Sequence, residues 1–196
     1  MTTSLTRRLL GGVLAVLLVS GVAGAQTVST DTPKIAALRV KANAGDAEAQ
    51  WLLGNAYISG QGVPKDYTQA AAWFRKAAEQ GDAAAQSLLG ALYHNGQGVP
   101  QDDAQGISWI RKATDQGDPV SQMMLAELYA NGQGVPKDAV SAYMWFNLAA
   151  ARAGATQKTA AAARDALAKT MTPTQIESGQ TLSREWFAAF QKRGGK

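Results

Sequence analysis

The chain has no cysteine and a single histidine, His94. A zinc site built on Cys and His ligands, a Cys/His nucleophilic pair and a disulfide framework all need residues that are not there. Charge of one sign is also scarce in excess: 19 lysines and arginines stand against 15 aspartates and glutamates, a formal +4. That bias is too small to point to nucleic acid or an anionic membrane as a partner.

Long apolar runs are confined to the amino end. Arg7 and Arg8 precede LLGGVLAVLLVSGVAGA, which ends in the small-residue triplet Ala23-Gly24-Ala25. This predicts a signal peptide over residues 1–25, cleaved before Gln26. A spanning helix needs about 20 apolar residues, and Gly11, Gly12, Ser20, Gly21 and Gly24 weaken this stretch as one. No cysteine is present for a lipid anchor. The expected mature chain, residues 26–196, is periplasmic or secreted and has no membrane span. Without Arg7 and Arg8 its formal charge falls from +4 to +2. With no disulfides it must be held by packing.

What the chain does have is an internal repeat of 36 residues without insertion: residues 45–80, 81–116 and 117–152. Matching columns hold Gly45/Gly81/Gly117, Asp46/Asp82/Asp118, Gln50/Gln86/Gln122, Leu53/Leu89/Leu125, Tyr57/Tyr93/Tyr129, a GQGVP block, Asp66/Asp102/Asp138 and Trp73/Trp109/Trp145. A period of this length is the signature of stacked helical hairpins.

Each unit reads as two helices. The first opens at Gly-Asp, the aspartate capping free amides and the glycine ending the preceding helix in a left-handed conformation. Pro119 directly after Asp118 fits the first helical position. Leu53, Gly54 and Tyr57 share one face, as do Leu89, Gly90 and Tyr93, with Ala126 replacing the small residue in the third copy. The second helix opens at Asp66, Asp102 or Asp138; Gln69 and Gln105, three residues on, predict reciprocal capping boxes, and Ser141 a weaker version. Its buried stripe is Trp73, Phe74 and Ala77, then Trp109, Ile110 and Ala113, then Trp145, Phe146 and Ala149.

GQGVP therefore lies between helices. A phosphate-cradling G-x-G follows a strand, and the Walker form needs Gly-Lys-Ser/Thr; neither context is present. The first glycine can end one helix and the proline can stiffen the approach to the next.

The pattern AEAQWLLGNAYISGQGVPKDYTQAAAWFRKAAEQGD closely resembles the Sel1-like repeat, a relative of the tetratricopeptide repeat, over Gly45 to about Arg152. Gly106 departs from the usual alanine, and Leu148 replaces the lysine seen as Lys76 and Lys112. The expected fold is an all-α, right-handed α-solenoid of three helix-turn-helix units with helical caps. Residues 26–44 hold the amino-terminal cap, Pro33 to Asn43, with Ile35, Leu38 and Ala42 inward. Residues 153–196 hold the carboxy-terminal cap: a helix over Lys158 to Lys169 and a last helix opening at Thr172-Pro173, with Ile176, Leu182, Trp186 and Phe190 covering the third repeat.

For function the resemblance implies protein–protein scaffolding, often in bacterial envelope regulation or host interaction. First helices line a concave groove in the tetratricopeptide family. With Leu53, Gly54 and Tyr57 packed, the groove-facing positions become Glu48, Trp51, Asn55 and Ile58, then Ala84, Ser87, Ala91 and His94, then Val120, Met123, Glu127 and Ala130. These columns vary between copies while the core columns recur, as positions facing a non-repeating partner would; free variation of any exposed site gives the same pattern. Trp51, Ile58 and Met123 are large apolar groups suited to anchoring a peptide or protein segment. The expected function is an exported, non-catalytic adaptor without metal or cofactor. The alternative is a polysaccharide- or peptidoglycan-binding module, thinly supported because the recurring tyrosines read as core. A hydrolase using Ser87 and His94 would need an orienting acid and an oxyanion hole, and the sequence names neither.

Overall fold

The computed structural model describes residues 32–152 and 154–195; the signal peptide expected over residues 1–25 lies outside them. The described residues form nine helices and no strand: α1 Pro33–Asn43, α2 Ala47–Ser59, α3 Tyr67–Glu79, α4 Ala83–Asn95, α5 Asp103–Asp115, α6 Pro119–Asn131, α7 Ala139–Ala151, α8 Gln157–Ala168 and α9 Pro173–Lys192. Within repeats α2 packs on α3, α4 on α5 and α6 on α7; between repeats α3 meets α4 and α5 meets α6. The chain is an α-solenoid with a helix before the array and two after it.

Local chemistry explains where the helices begin and end. Asp46, Asp82 and Asp118 each accept the amide three residues on, at 2.8, 2.7 and 2.6 Å. The first glycine of each GQGVP block, Gly60, Gly96 and Gly132, is the left-handed C-cap of a first helix. The second glycine serves close approach as well as backbone freedom: a Cβ on Gly98 would lie 2.2 Å from the Tyr67 carbonyl.

The reciprocal boxes expected at Gln69 and Gln105 do not form. The backbone N–H of Asp66 donates to Tyr57 O at 3.0 Å, and that of Asp102 to Tyr93 O at 2.9 Å, so the group a capping glutamine would reach is already taken. Gln105 turns its amide to the Asp102 carboxylate instead, at 2.8 Å. The full box closes at Thr172 and Gln175, which open α9.

Leu53, Leu89 and Leu125 are wholly buried, each worth roughly 1.5–3 kcal/mol of burial. Small residues set the crossings. A Cβ on Gly54 would lie 2.5 Å from Phe74, and one on Gly90 would lie 2.8 Å from Gly106 O. The departure at Gly106 is thus a place where α4 and α5 touch through backbone. Tyr57 and Tyr93 are buried with their hydroxyls held by Arg39 and Arg75, and Tyr129 is held by Arg111.

The cap differs from the repeats in one visible way. Lys76 and Lys112 lie 4.1 and 3.9 Å from the ring centroids of Trp73 and Trp109. In the third copy that lysine is the buried Leu148, and Trp145 meets the ring of Trp186 from α9 at 5.5 Å and 73° instead. Trp186 also stacks on Phe190 at 5.0 Å. Leu182, expected inward, is exposed; Gly179, Ser183 and Phe190 are the buried positions of α9, because Gly179 lets the helix settle against Tyr143 and Val140 of α7.

Candidate functional site

Two directions of each first helix are spent on packing. The Leu53, Gly54 and Tyr57 face meets the second helix, and the column that begins at Trp51 turns to the repeat junction. What remains on α2 is Leu52, Asn55 and Ser59, spaced i, i+3 and i+7 on one stripe. Their equivalents are Leu88, Ala91 and Asn95 on α4, and Met124, Glu127 and Asn131 on α6. Leu52 is 40% exposed, unusual for a leucine that recurs as an apolar column.

This stripe opens into two recesses. One of about 460 Å³ lies between α1 and α2, lined by Leu38, Leu52, Asn55 and Ser59 among others. The other, about 310 Å³, lies between α4 and α6 and is lined by Ala91, His94, Met124, Glu127 and Asn131 among others. Leu52, Asn55 and Ser59 correspond to Met124, Glu127 and Asn131, so both recesses use the same columns two repeats apart.

Of the residues expected in the groove, Ala91, His94 and Glu127 come together in the second recess and Asn55 lines the first. Glu48 and Val120 are exposed near the starts of α2 and α6, and Ala84 and Ala130 are half-buried. Trp51 and Ile58 are half-buried against the core of the first repeats, and the Trp51 Nε1 is enclosed without a hydrogen-bond partner. Ser87 corrects the expectation most clearly. It is 1% exposed, its Oγ donates to Asp118 Oδ2 at 2.8 Å and sits 3.1 Å from Ala83 O, so it ties the second repeat to the third. Met123, in the same column, is half-buried, and it is Met124 that lines the recess.

His94 Nδ1 lies 2.8 Å from Asp103 Oδ1. An ionised carboxylate only accepts, so Nδ1 carries the proton. Asp103 is thus an orienting acid for the imidazole, but Ser87 is bonded to Asp118 and not to His94. Glu127 keeps part of its side chain in solvent while its carboxyl is partly desolvated, which raises its pKa above the ordinary glutamate value. Among the described residues no group of three His, Cys, Asp or Glu side chains could hold a metal ion. The recess offers apolar contact from Ala91 and Met124, amides from Asn95 and Asn131, and one carboxylate.

Two features escaped the sequence reading although their signal was present. Leu52, Leu88 and Met124 form an apolar column directly before the core leucines, and Arg39, Arg75 and Arg111 recur at the repeat period before pairing with the tyrosines.

Known proteins supply an independent comparison. The family model for the Sel1 repeat matches residues 47–82, 83–118 and 119–153. The chain belongs to the Sel1 repeat family. Among solved structures, this Sel1 repeat protein is similar to a Sel1 repeat protein from Oxalobacter formigenes, at 38% identity and a TM-score of 0.55, over 65% of this chain and 96% of that one. It is also similar to a protective antigen present in uropathogenic Escherichia coli strains that displays an SLR fold, at 28% identity and a TM-score of 0.60, over 80% of this chain. The chain spans 41% of that antigen's length. No curated protein matches. The Sel1 repeat is a scaffold fold that typically mediates protein interactions, and among the described residues no helix is long and apolar enough to cross a membrane.

Proposed function

We propose that this Sel1 repeat protein is an exported, non-catalytic adaptor that holds an extended segment of an envelope protein against the stripe shared by α2, α4 and α6. The observation that carries this is the apolar column Leu52/Leu88/Met124, with Leu52 40% exposed, bordered by the polar groups Asn55, Ser59, Glu127 and Asn131 and opening into a recess at each end. An apolar line with a polar border is how an interaction surface differs from a merely solvated one. Catalysis is left out of the proposal because the hydroxyl nearest to a triad role, Ser87, is held by Asp118. Export rests on the pattern of Met1 to Ala25.

The test is photo-crosslinking from position 55 in envelope extract, run beside Leu52→Lys/Glu127→Lys, a variant first matched to the wild type in thermal unfolding. A protein segment captured by the wild type and lost by the variant supports the reading. Equal capture overturns the choice of surface, and enrichment of glycan alone replaces it with the polysaccharide reading. Amino-terminal sequencing of the envelope-fraction protein tests export: Gln26 is the expected first residue, and an intact Met1 in the cytoplasm overturns it.

A further inference from the structure

One column of the first helices reads Asn55, Ala91 and Glu127 in the three repeats. Packing therefore asks for no acid at this place, and a carboxylate arises in one copy alone. That copy borders the recess of about 310 Å³ between α4 and α6. Among the described residues Glu127 makes no hydrogen bond or ion pair, and partial burial is the one influence resolved on its carboxyl. The aspartates of the array are differently placed: Asp46, Asp82 and Asp118 cap helices, and Asp103 holds His94.

Of the residues that line this recess, only Glu127 and His94 can carry charge. His94 has the Asp103 carboxylate at 2.8 Å, so with one proton on its ring the pair adds a negative charge and with two it adds none. The recess is negative in either form, and no lysine or arginine lines it. The rest of its lining is largely apolar, from the buried Ile110 and Leu128 with Ala91 and Met124, and Asn95 and Asn131 add amides one helical turn beyond Ala91 and Glu127. The recess at the other end of the stripe has the opposite sign: Lys34 is the one charged residue in its lining.

Water would solvate the carboxylate and leave the apolar lining wet. A neutral apolar side chain would cover the lining and desolvate the carboxylate further without a counter-charge, which is unfavourable. A cation on a long aliphatic stem answers both features, its methylenes lying on apolar surface and its head at the anion. We propose that the α4/α6 recess takes an arginine or lysine side chain of the bound segment, the stem against Ala91, Met124 and Leu128 and the charged head at Glu127. At the α1/α2 recess Lys34 repels such a residue, so the segment lies along the stripe in one direction. This inference rests on the reading of the stripe as the binding surface and names what that surface selects.

Selection of random peptides displayed on phage, against the full chain and against its Glu127→Gln variant, tests it. Binders of the wild type are expected to carry arginine or lysine beside apolar residues, and binders of Glu127→Gln to keep the apolar residues and lose the basic one. A selected peptide made with arginine and with citrulline, its neutral counterpart, should bind the wild type about five-fold better in the arginine form and Glu127→Gln equally in both. Peptides that need Leu52, as shown by loss on Leu52→Lys, but have no basic preference overturn the proposal and leave the stripe standing. So does a basic preference that survives Glu127→Gln, or equal affinity of the arginine and citrulline forms for the wild type. Failure to enrich any peptide overturns the stripe as a binding surface and this proposal with it.

Discussion

The junction between the first and second repeats and the junction between the third repeat and the carboxy-terminal helices are closed in opposite ways. At the first, Gln86 reaches back to Ala78 O of the first repeat and accepts from Gln116 at the end of its own repeat, a buried polar ladder. At the second, no further repeat follows. The closure there is made by shape: Trp186 against Trp145, Gly179 against Tyr143, and the buried Ser183 hydroxyl at the carbonyls of Gly179 and Met144. The lesson is that a repeat can satisfy its polar groups by periodicity, while a cap must cover an apolar edge without matching the polar ladder, and one acceptor is left over.

The largest expected effect breaks the ladder. Gln86→Leu leaves Ala78 O and the Gln116 amide without their partner and should cost about 2–4 kcal/mol in denaturant unfolding, as several buried polar groups lose satisfaction. Gln122→Leu removes an oxygen that is already unpartnered and should cost less than about 1 kcal/mol. Equal costs would mean that the two junctions do not differ in the way described.

Next in size is the glycine crossing within the second repeat. Gly106→Ala places a Cβ 2.8 Å from Gly90 O and 3.1 Å from His94 N, both backbone atoms that cannot swing away. Overpacking should outweigh the helix-propensity gain, for a net loss of about 1–3 kcal/mol. The same column holds the buried Ala70 and Ala142 in the other repeats. Ala142→Gly should cost about 1 kcal/mol there, so alanine is preferred in one repeat and refused in another. A stabilised Gly106→Ala would show that α4 and α5 are free to separate.

A smaller effect is expected from Ser87→Ala, about 1 kcal/mol for the lost link to Asp118 between the second and third repeats. A similar loss of binding to any partner without loss of stability would return Ser87 to the interaction surface.

The smallest effects are in pH dependence and have opposite signs at two carboxylates. The Asp138 pKa is lowered first by the Ser141 hydroxyl, with the Ser141 and Val140 amides adding to it against partial burial. Its stabilisation is complete above the ordinary aspartate pKa and is lost as pH falls through the lower folded value. Desolvation raises the Glu127 pKa, so the folded state binds that proton more tightly than the unfolded one. Stability from this group is therefore greatest below the ordinary glutamate pKa and declines as pH rises through the folded value. Glu127→Gln should raise the melting temperature slightly at neutral pH and leave it unchanged in acid, while Asp138→Ala should lower it at neutral pH and lose that effect in acid.

Much of this architecture is legible in the residues alone. A core column must recur because every unit presents the same contact, which is why Leu53, Leu89 and Leu125 were recognisable and are all buried. Caps are local, so Asp46, Asp82 and Asp118 marked their helices from a few neighbouring residues. The free surface was harder to place. Adjacent residues differ by about 100° around a helix, so the choice between the Trp51 and Leu52 columns turns on the crossing between helices, which no spacing encodes. The failed boxes at Gln69 and Gln105 have a similar origin, since the amides they needed were taken by Tyr57 and Tyr93 carbonyls from the preceding helix.

By itself, then, the sequence determined the helices, their joints and the period of stacking, because capping, glycine turns and apolar spacing act within a few residues of themselves. Tertiary structure decided which side of α2, α4 and α6 stays open, that His94 is oriented by Asp103, and that the Gln122 oxygen is left unpartnered. Those outcomes depend on what a neighbouring element presents: Gln50 and Gln86 accept from Gln80 and Gln116, and the Gln122 oxygen has no partner where Arg152 stands in that column.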